Sequence, residues 1–445
     1  MPDEEISQIR SLKHGNLLEQ GVREQIELYD RLEQLEDDGS IEAERLQQRL
    51  ADLQQRKLDY IDHPFQAIKL QAAENSIELG KTPHGRPYRI PLQYLTKHLL
   101  TTGETGAGKT NLNYLILDQL QQQGVPFLAF DLKQDYRHLL NQEEFEDDLT
   151  VIPWKDFAYN PLEPPPGVQT DDWIRIFTDA FGHSQSLMSA SKNYLFHQLW
   201  QQYRDIDGEE HPTLRDLYRT VDSDSPNSYK QENYSDTVQN RLRRLTFSGS
   251  QMFQHREGIP IEKLLQNNVI LELDGLGNDT QNLVIETLLA KIYLHRKAQQ
   301  QRGNGVRHVS ILDEGNQVFS AKKEQNTKKD IPVIDQLTAK MREFGEALLV
   351  ADQEATKLTE SIMANTATKI LLPTGSHTQF KRVADAIGLN SEQREWAKEN
   401  LKTGYGLIYN RETGLQPVHI PLYADDLEKD VGDERITGTP SWLEN

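Results

Sequence analysis

Cysteine is absent from this chain. That excludes disulfides, thiol nucleophiles and zinc held by cysteine, and it fits a reducing, cytoplasmic setting. Long apolar runs are missing too. Those at 98–102, 126–131, 269–273, 309–312, 347–351 and 369–372 fall well short of the ~18 apolar residues a membrane helix needs, so no membrane partner is expected. The start, Met1-Pro2-Asp3-Glu4-Glu5, is acidic and has no apolar core, so no secretory signal is expected. Excess positive charge is also lacking: 49 Lys and Arg stand against 69 Asp and Glu, for a net charge of −20. A protein that coats DNA non-specifically is usually basic, so any DNA contact has to come from a local basic patch. The 13 histidines show no metal-ligand spacing.

The chain has 445 residues, of which 36% are hydrophobic and 27% charged. Its mean hydropathy is −0.70. Residues 1–65 are rich in Glu, Gln, Leu and Arg. Val22, Ile26 and Tyr29 recur at helical spacing, as do Leu46, Leu50 and Leu53. Asp37-Asp38-Gly39-Ser40 interrupts the pattern, with Ser40 placed to cap the next helix. A helical hairpin follows as the expectation. Its narrow apolar stripe either packs on itself or docks a partner.

From residue 66 the pattern changes. Residues 76–95 turn like short strands, and from His98 strands alternate with helices, which indicates a parallel sheet covered by helices. Strands are expected at 98–102, 127–131 and 149–152 and, further on, at 269–273, 309–312, 347–351 and 369–372. Helices are expected from Gly108 and over 281–296, 331–344, 357–364 and 378–387. Between the two halves, 161–255 carries Pro164-Pro165-Pro166-Gly167 and helically spaced Trp173, Ile174, Phe177, Tyr194, Leu195, Leu199 and Trp200. This reads as an all-helical insertion that splits an α/β core into 66–160 and 256–425. Residues 404–409 and 417–421 read as a closing antiparallel pair, and 426–445 as an acidic, loosely held tail.

Three elements carry chemistry. Gly103-Glu104-Thr105-Gly106-Ala107-Gly108-Lys109-Thr110-Asn111 follows an apolar strand and opens a helix with Leu112, Leu115, Ile116 and Leu120. Glycines let the backbone N–H groups wrap a phosphate at a helix N-terminus. Lys109 then reaches the β- and γ-phosphates of ATP, and the Thr110 hydroxyl holds Mg²⁺. Second, the strand 309–312 ends in Asp313-Glu314, with Asp313 fixing the metal through water and Glu314 polarising the attacking water. Third, Ala351-Asp352-Gln353 ends another strand, and the Gln353 amide can touch the γ-phosphate or that water.

These elements, with Phe130-Asp131-Leu132-Lys133-Gln134-Asp135-Tyr136, resemble the HerA/FtsK superfamily of hexameric DNA-pumping ATPases. Tyr159-Asn160-Pro161-Leu162 before a helical insertion, and Asn240-Arg241-Leu242-Arg243-Arg244-Leu245, look like the branch of type IV secretion ATPases and conjugative coupling proteins. Arg342-Glu343-Phe344-Gly345 is similar to the family's Arg-x-x-Gly before its sensor strand. Asp135 departs from the more usual Glu, Ala351-Asp352-Gln353 from Ala-Thr-Gln, and the N-terminal helices stand where HerA proteins have a β-barrel. The resemblance implies a RecA-like fold, ATP and Mg²⁺ as ligands, a hexameric ring, and an arginine lent by the neighbouring subunit, for which Arg342 and Arg382 are the candidates. It also implies double-stranded DNA as partner, with a nuclease or effector on the N-terminal arm, in DNA processing or phage defence. Lys322, Lys323, Lys328 and Lys329 would then line a cationic pore; the plainer reading is a solvated loop, and Arg241, Arg243 and Arg244 are the other basic group. Two other outputs stay open: a nucleotide-controlled scaffold that recruits an effector, favoured by the acidic total, and a cytosolic secretion ATPase, favoured by the helical insertion.

Overall fold

The computed structural model describes residues 64–65, 75–83, 85–146, 148–205, 210–248, 251–303, 305–322, 333–424 and 431–436. The chain divides into two compact units, Met1–Gln66 and Ala67–Asn445. The expected helical hairpin falls in the first unit and, Pro64 and Phe65 apart, lies outside the described residues. So do Lys323, Lys328 and Lys329 of the lysine loop.

Ala67–Asn445 is built on one sheet of eleven strands. Its strands are β1 (Ser76–Lys81), β2 (Pro87–Pro91), β3 (Leu99–Thr102), β4 (Phe127–Asp131), β5 (Leu149–Pro153), β6 (Asn268–Glu272), β7 (His308–Leu312), β8 (Glu346–Asp352), β9 (Thr368–Leu371), β10 (Tyr405–Asn410) and β11 (Gly414–His419). The spatial order is β2-β1-β11-β10-β9-β3-β8-β7-β4-β6-β5. From β9 to β5 neighbours run parallel, and from β9 to β2 they run antiparallel. The hairpin β10–β11 is the closing pair expected from sequence, with Tyr405 opposite His419.

The parallel strands are short and buried almost throughout, with apolar centres, as strands covered on both faces must be. Alternation sorts their side chains. Phe127 and Ala129 join one core with Leu112, Ile116 and Leu120 of helix α1 (Lys109–Gln122). Leu128 and Phe130 join the other core, with Leu283, Leu288 and Ile292 of helix α7 (Asn278–Ala298). Helix α7 is buried on nearly every side, Gln281, Glu286, Lys291 and His295 included.

Between β5 and β6 the chain is helical: α2 (Thr170–Ser184), α3 (Ser189–Asp205), α4 (Leu214–Ser223), α5 (Tyr229–Ser248) and the short α6 (Ile261–Gln266). The Tyr159-Asn160 stretch ties the loop before α4 and the loop after α5 to the core. Asn160 Nδ2 donates to Pro212 O at 3.0 Å and to Arg256 O at 2.7 Å. Lys291 Nζ, buried against the rings of Tyr159 and Trp173, donates to Asn160 O at 2.8 Å. Burial pushes that ammonium down to about 8. On α5, Leu242 and Leu245 are buried, and Arg244 pairs with Asp279 at 3.0 Å.

The second half adds α8 (Val333–Met341), α9 (Glu360–Asn365), α10 (His377–Ala386) and α11 (Ser391–Asn400). The helix expected over 357–364 is a 3₁₀ turn, Ala355–Lys357, followed by α9. Thr359 breaks it by capping Ile362 N with its side chain. The tail also departs from expectation at 431–436. Arg137 grips the buried Glu272 through both carboxylate oxygens at 2.6 Å. Its Nη1 also donates to Val431 O at 3.1 Å and to Asp433 Oδ1 at 2.9 Å, which docks this piece of the tail.

Candidate functional site

β3 ends at Thr102 opposite Asp352, the last residue of β8, and the chain then turns into α1 through the glycine-rich loop. Gly106 and Gly108 take φ of +79° and +102°, which favours glycine, and a Cβ at either would meet nothing within 4 Å. The concave side of the loop is therefore open. Lys109 folds back across it and donates to Gly103 O at 2.7 Å and Glu104 O at 2.8 Å. Desolvation lowers its pKa, and the nearby Lys133 adds to that while Asp313 opposes it. An ammonium held this way has neutral carbonyls for company, where a phosphate would supply charge.

Neighbouring strand ends bring up the acids. Asp313 follows β7 and is half-buried. Tyr136 Oη donates to its Oδ2 at 2.8 Å and Asn113 Nδ2 to its Oδ1 at 3.3 Å. Desolvation pushes the carboxyl up to about 6, against the Tyr136 hydrogen bond that lowers it. Glu314 has φ 55 and ψ 52, left-handed geometry that costs about 1–3 kcal/mol in a residue other than glycine. Its side chain pairs with Lys133 and accepts from Gln317 Nε2 at 3.0 Å. Partial burial acts to raise its pKa, but Lys133 prevails and holds the carboxyl below its ordinary value. Asp352 is fully buried and accepts from the backbone N–H of Asn316 and of Glu354, both at 2.6 Å. It thereby joins the turn after β7 to the end of β8. Next to it, Gln353 Oε1 accepts from Thr105 Oγ1 at 2.7 Å, so the amide touches the phosphate loop.

Lys109, Thr105, Asp313, Glu314 and Gln353 thus meet from three separate stretches of chain on one edge of the sheet, that formed by the C-terminal ends of its central parallel strands. Thr110 sits on the same loop, in the first turn of α1. The donor set fits ATP with Mg²⁺: an open cradle of N–H groups with a lysine for phosphates, and hydroxyl and carboxylate oxygens for a hard cation.

The segment 77–292 matches the family model described as the helicase HerA central domain. A structure of VirB4 from Thermoanaerobacter pseudethanolicus is similar with a TM-score of 0.61 at 16% identity, over 82% of this chain and 99% of that one. Segment 77–292 is thus similar to a HerA-type ATPase domain, and the fold is that of the P-loop ATPases it resembles. The DNA double-strand break repair helicase HerA of Sulfurisphaera tokodaii is 22% identical over 76% of this chain and 67% of its own length. The plasmid coupling protein TrwB in complex with ADP and Mg²⁺ is similar with a TM-score of 0.59 at 12% identity, over 79% of this chain and 90% of that one. The chain spans about two thirds of the length of the curated relatives it matches. The matched segment of the ATPase stops at residue 292, before Asp313, Glu314 and Gln353; the sheet is what brings these to the loop.

Other expected residues stand elsewhere. Asn111 turns its amide to the C-terminal segment: Nδ2 donates to Pro421 O at 2.9 Å, and Oδ1 accepts from Tyr423 N at 2.8 Å. Arg342 lies beyond α8 at the opposite edge of the sheet, exposed to solvent. Arg382, on α10, pairs with Glu360 at 2.8 Å, and its buried Nε finds no acceptor among the described residues. Lys322 is exposed. Sequence reading missed Asn113, which bridges Tyr136 and Asp313. The available signal was an amide set among Leu112, Tyr114, Ile116 and Leu117 on the buried face of a helix, which has to find a partner.

Proposed function

We propose that this ATPase forms a homo-hexameric ring that hydrolyses ATP at its subunit interfaces and moves double-stranded DNA, working with a nuclease or other effector in DNA processing or phage defence. One observation carries the reading: the sheet edge that holds the phosphate loop also gathers Asp313, Glu314 and Gln353 against it. Lys109 leaves its two carbonyl partners for the β- and γ-phosphates. Thr110, and Asp313 through water, would hold Mg²⁺, which would supply neutralising charge on the phosphate oxygens. Glu314 polarises the attacking water, and Gln353 contacts the γ-phosphate from the side of Thr105. Arg342, exposed to solvent, and Arg382, paired with Glu360, are the two candidates for the arginine lent to a neighbour. Lys322, Lys323, Lys328 and Lys329 are the proposed DNA contacts, supplying to a ring the cationic patch that the net charge of −20 denies the surface at large. The helicase name carried by the HerA relatives supports DNA as the partner.

The test is ATP hydrolysis by the purified chain with and without linear duplex DNA. Hydrolysis should rise severalfold with DNA. The gain should fade as salt rises from ~50 to ~200 mM, since each phosphate contact releases counterions. Hydrolysis indifferent to DNA at every salt would overturn the motor. The secretion-type reading, which the fold shared with VirB4 favours, would then take precedence.

A further inference from the structure

The turn after β4 is organised by one carboxylate. Asp131 accepts from the backbone N–H of Lys133 at 3.0 Å, of Asp135 at 3.2 Å and of Tyr136 at 2.8 Å. Gln134 takes φ 60, so the chain bends sharply directly after Lys133. The side chain of Lys133 leaves this rigid turn and pairs with Glu314 Oε1, while Glu314 Oε2 accepts from Gln317. Both oxygens of the carboxylate assigned to polarise water are therefore engaged. Lys133 itself stays 48% exposed, which leaves its ammonium room to re-aim. Its charge acts on Lys109 and on Asp313, which puts its ammonium within electrostatic reach of the phosphate cradle.

We propose that Lys133 is a positioning residue that latches Glu314 while the γ-phosphate position is empty and exchanges it for the γ-phosphate when ATP, but not ADP, is bound. The proposal rests on the reading of Glu314 as the water-polarising carboxylate. An ammonium on a flexible four-carbon stem carries three donors and can re-aim them without moving backbone. A terminal phosphate carries roughly twice the charge of a carboxylate, so it wins the lysine when both are in reach. ADP ends at the β-phosphate, which Lys109 takes, and leaves the latch closed. Glu314 is thus released only when there is a phosphoryl group to transfer to water. The freed ammonium then lies against the phosphoryl group that passes to water, whose equatorial oxygens carry negative charge in the transition state.

The experiment compares ADP with a β,γ-imido analogue of ATP, both with Mg²⁺, on the full chain and on Lys133→Ala, Lys133→Arg, Glu314→Gln and the Lys133→Ala/Glu314→Gln double variant. Lys133→Ala should weaken the ATP analogue by about tenfold to a hundredfold, the value of one charge-assisted hydrogen bond, and leave ADP within about twofold. Lys133→Arg should restore most of the preference. Glu314→Gln removes the competing charge, so it should bind the analogue more tightly than wild type, and that gain should vanish in the double variant. A purely structural lysine would shift both ligands together. Equal weakening of ADP and analogue in Lys133→Ala overturns the latch, as does no weakening of either. Wild-type turnover by Glu314→Gln would remove the reading beneath it. Lost turnover in Glu314→Gln with unchanged discrimination in Lys133→Ala would remove the latch alone.

Discussion

Where the parallel strands begin, Glu346 opens β8 beside His308, its register partner on β7, and both are shut off from water. Glu346 accepts from His308 Nδ1 at 2.7 Å, from Ser310 Oγ at 2.8 Å and from Arg296 Nε at 3.2 Å. Close by, His98 Nδ1 accepts from Leu348 N at 3.0 Å, and its Nε2–H donates to Thr338 O at 2.8 Å. Where the strands end, Asp313, Glu314 and Lys109 make fewer and more exposed contacts, and one of them sits in left-handed backbone. At one end Glu346 is closed in by its partners, whereas at the other Lys109 and Glu314, unlike the buried Asp131 and Asp352 beside them, stay available. Charge that is fully bonded stabilises a single conformation. Charge held by neutral carbonyls or a mobile lysine is ready to accept a ligand.

Variants at the two edges should therefore fail in different ways. The largest effect is expected from Lys109→Ala. It should cut turnover by at least ~10²–10³-fold, with far-UV circular dichroism and melting temperature close to wild type, because the lysine's native partners are only two carbonyls. A folded Lys109→Ala with wild-type hydrolysis would dissolve the contrast. Next, Glu346→Ala strands Arg296 and His308 in the core and should cost about 3–5 kcal/mol in denaturant unfolding. Turnover per folded molecule should hardly change. The smallest effect is a pH signature. Burial pushes His98 from 6.5 down to about 4, so only the unfolded chain takes up that proton between those values. Its contribution is complete above 6.5 and falls by about 3 kcal/mol as pH drops to about 4. Desolvation pushes Asp131, at the other edge, from 3.8 up to about 6, so there the folded chain takes up the proton first and gains stability as pH falls through that range. Relative to wild type, His98→Gln should tilt stability upward on acidification and Asp131→Asn should tilt it downward. Parallel curves for all three proteins would show that neither group titrates as its surroundings require.

The apolar runs at 127–131 and 309–312 and the glycine spacing of 103–110 reveal the loop, the strands and the acids that follow them, because those signals are local. What pairs with what is not local. Lys133 meets Glu314, Tyr136 meets Asp313, and Arg137 meets Glu272 and Asp433 across long separations that no spacing rule encodes. The same blindness explains Asn111, which looks like a loop residue until Pro421 and Tyr423 come back to claim it. Helix α7 hides for another reason: its Gln281, Glu286, Lys291 and His295 give it the look of a surface helix, and buried partners make it a central one.

The position of β3 has a consequence for biosynthesis. Leu99 lies between Leu349 on one side and Thr368 on the other, so the strand that feeds the phosphate loop has no sheet neighbours until those residues have left the ribosome. Closing loops of that length is slow and costs entropy before any contact is returned. A nascent chain shorter than this holds the glycine-rich sequence without the shape that grips phosphate. The nucleotide site is accordingly among the last features to mature, and a truncated product would be unable to capture ATP before its own catalytic acids are in place.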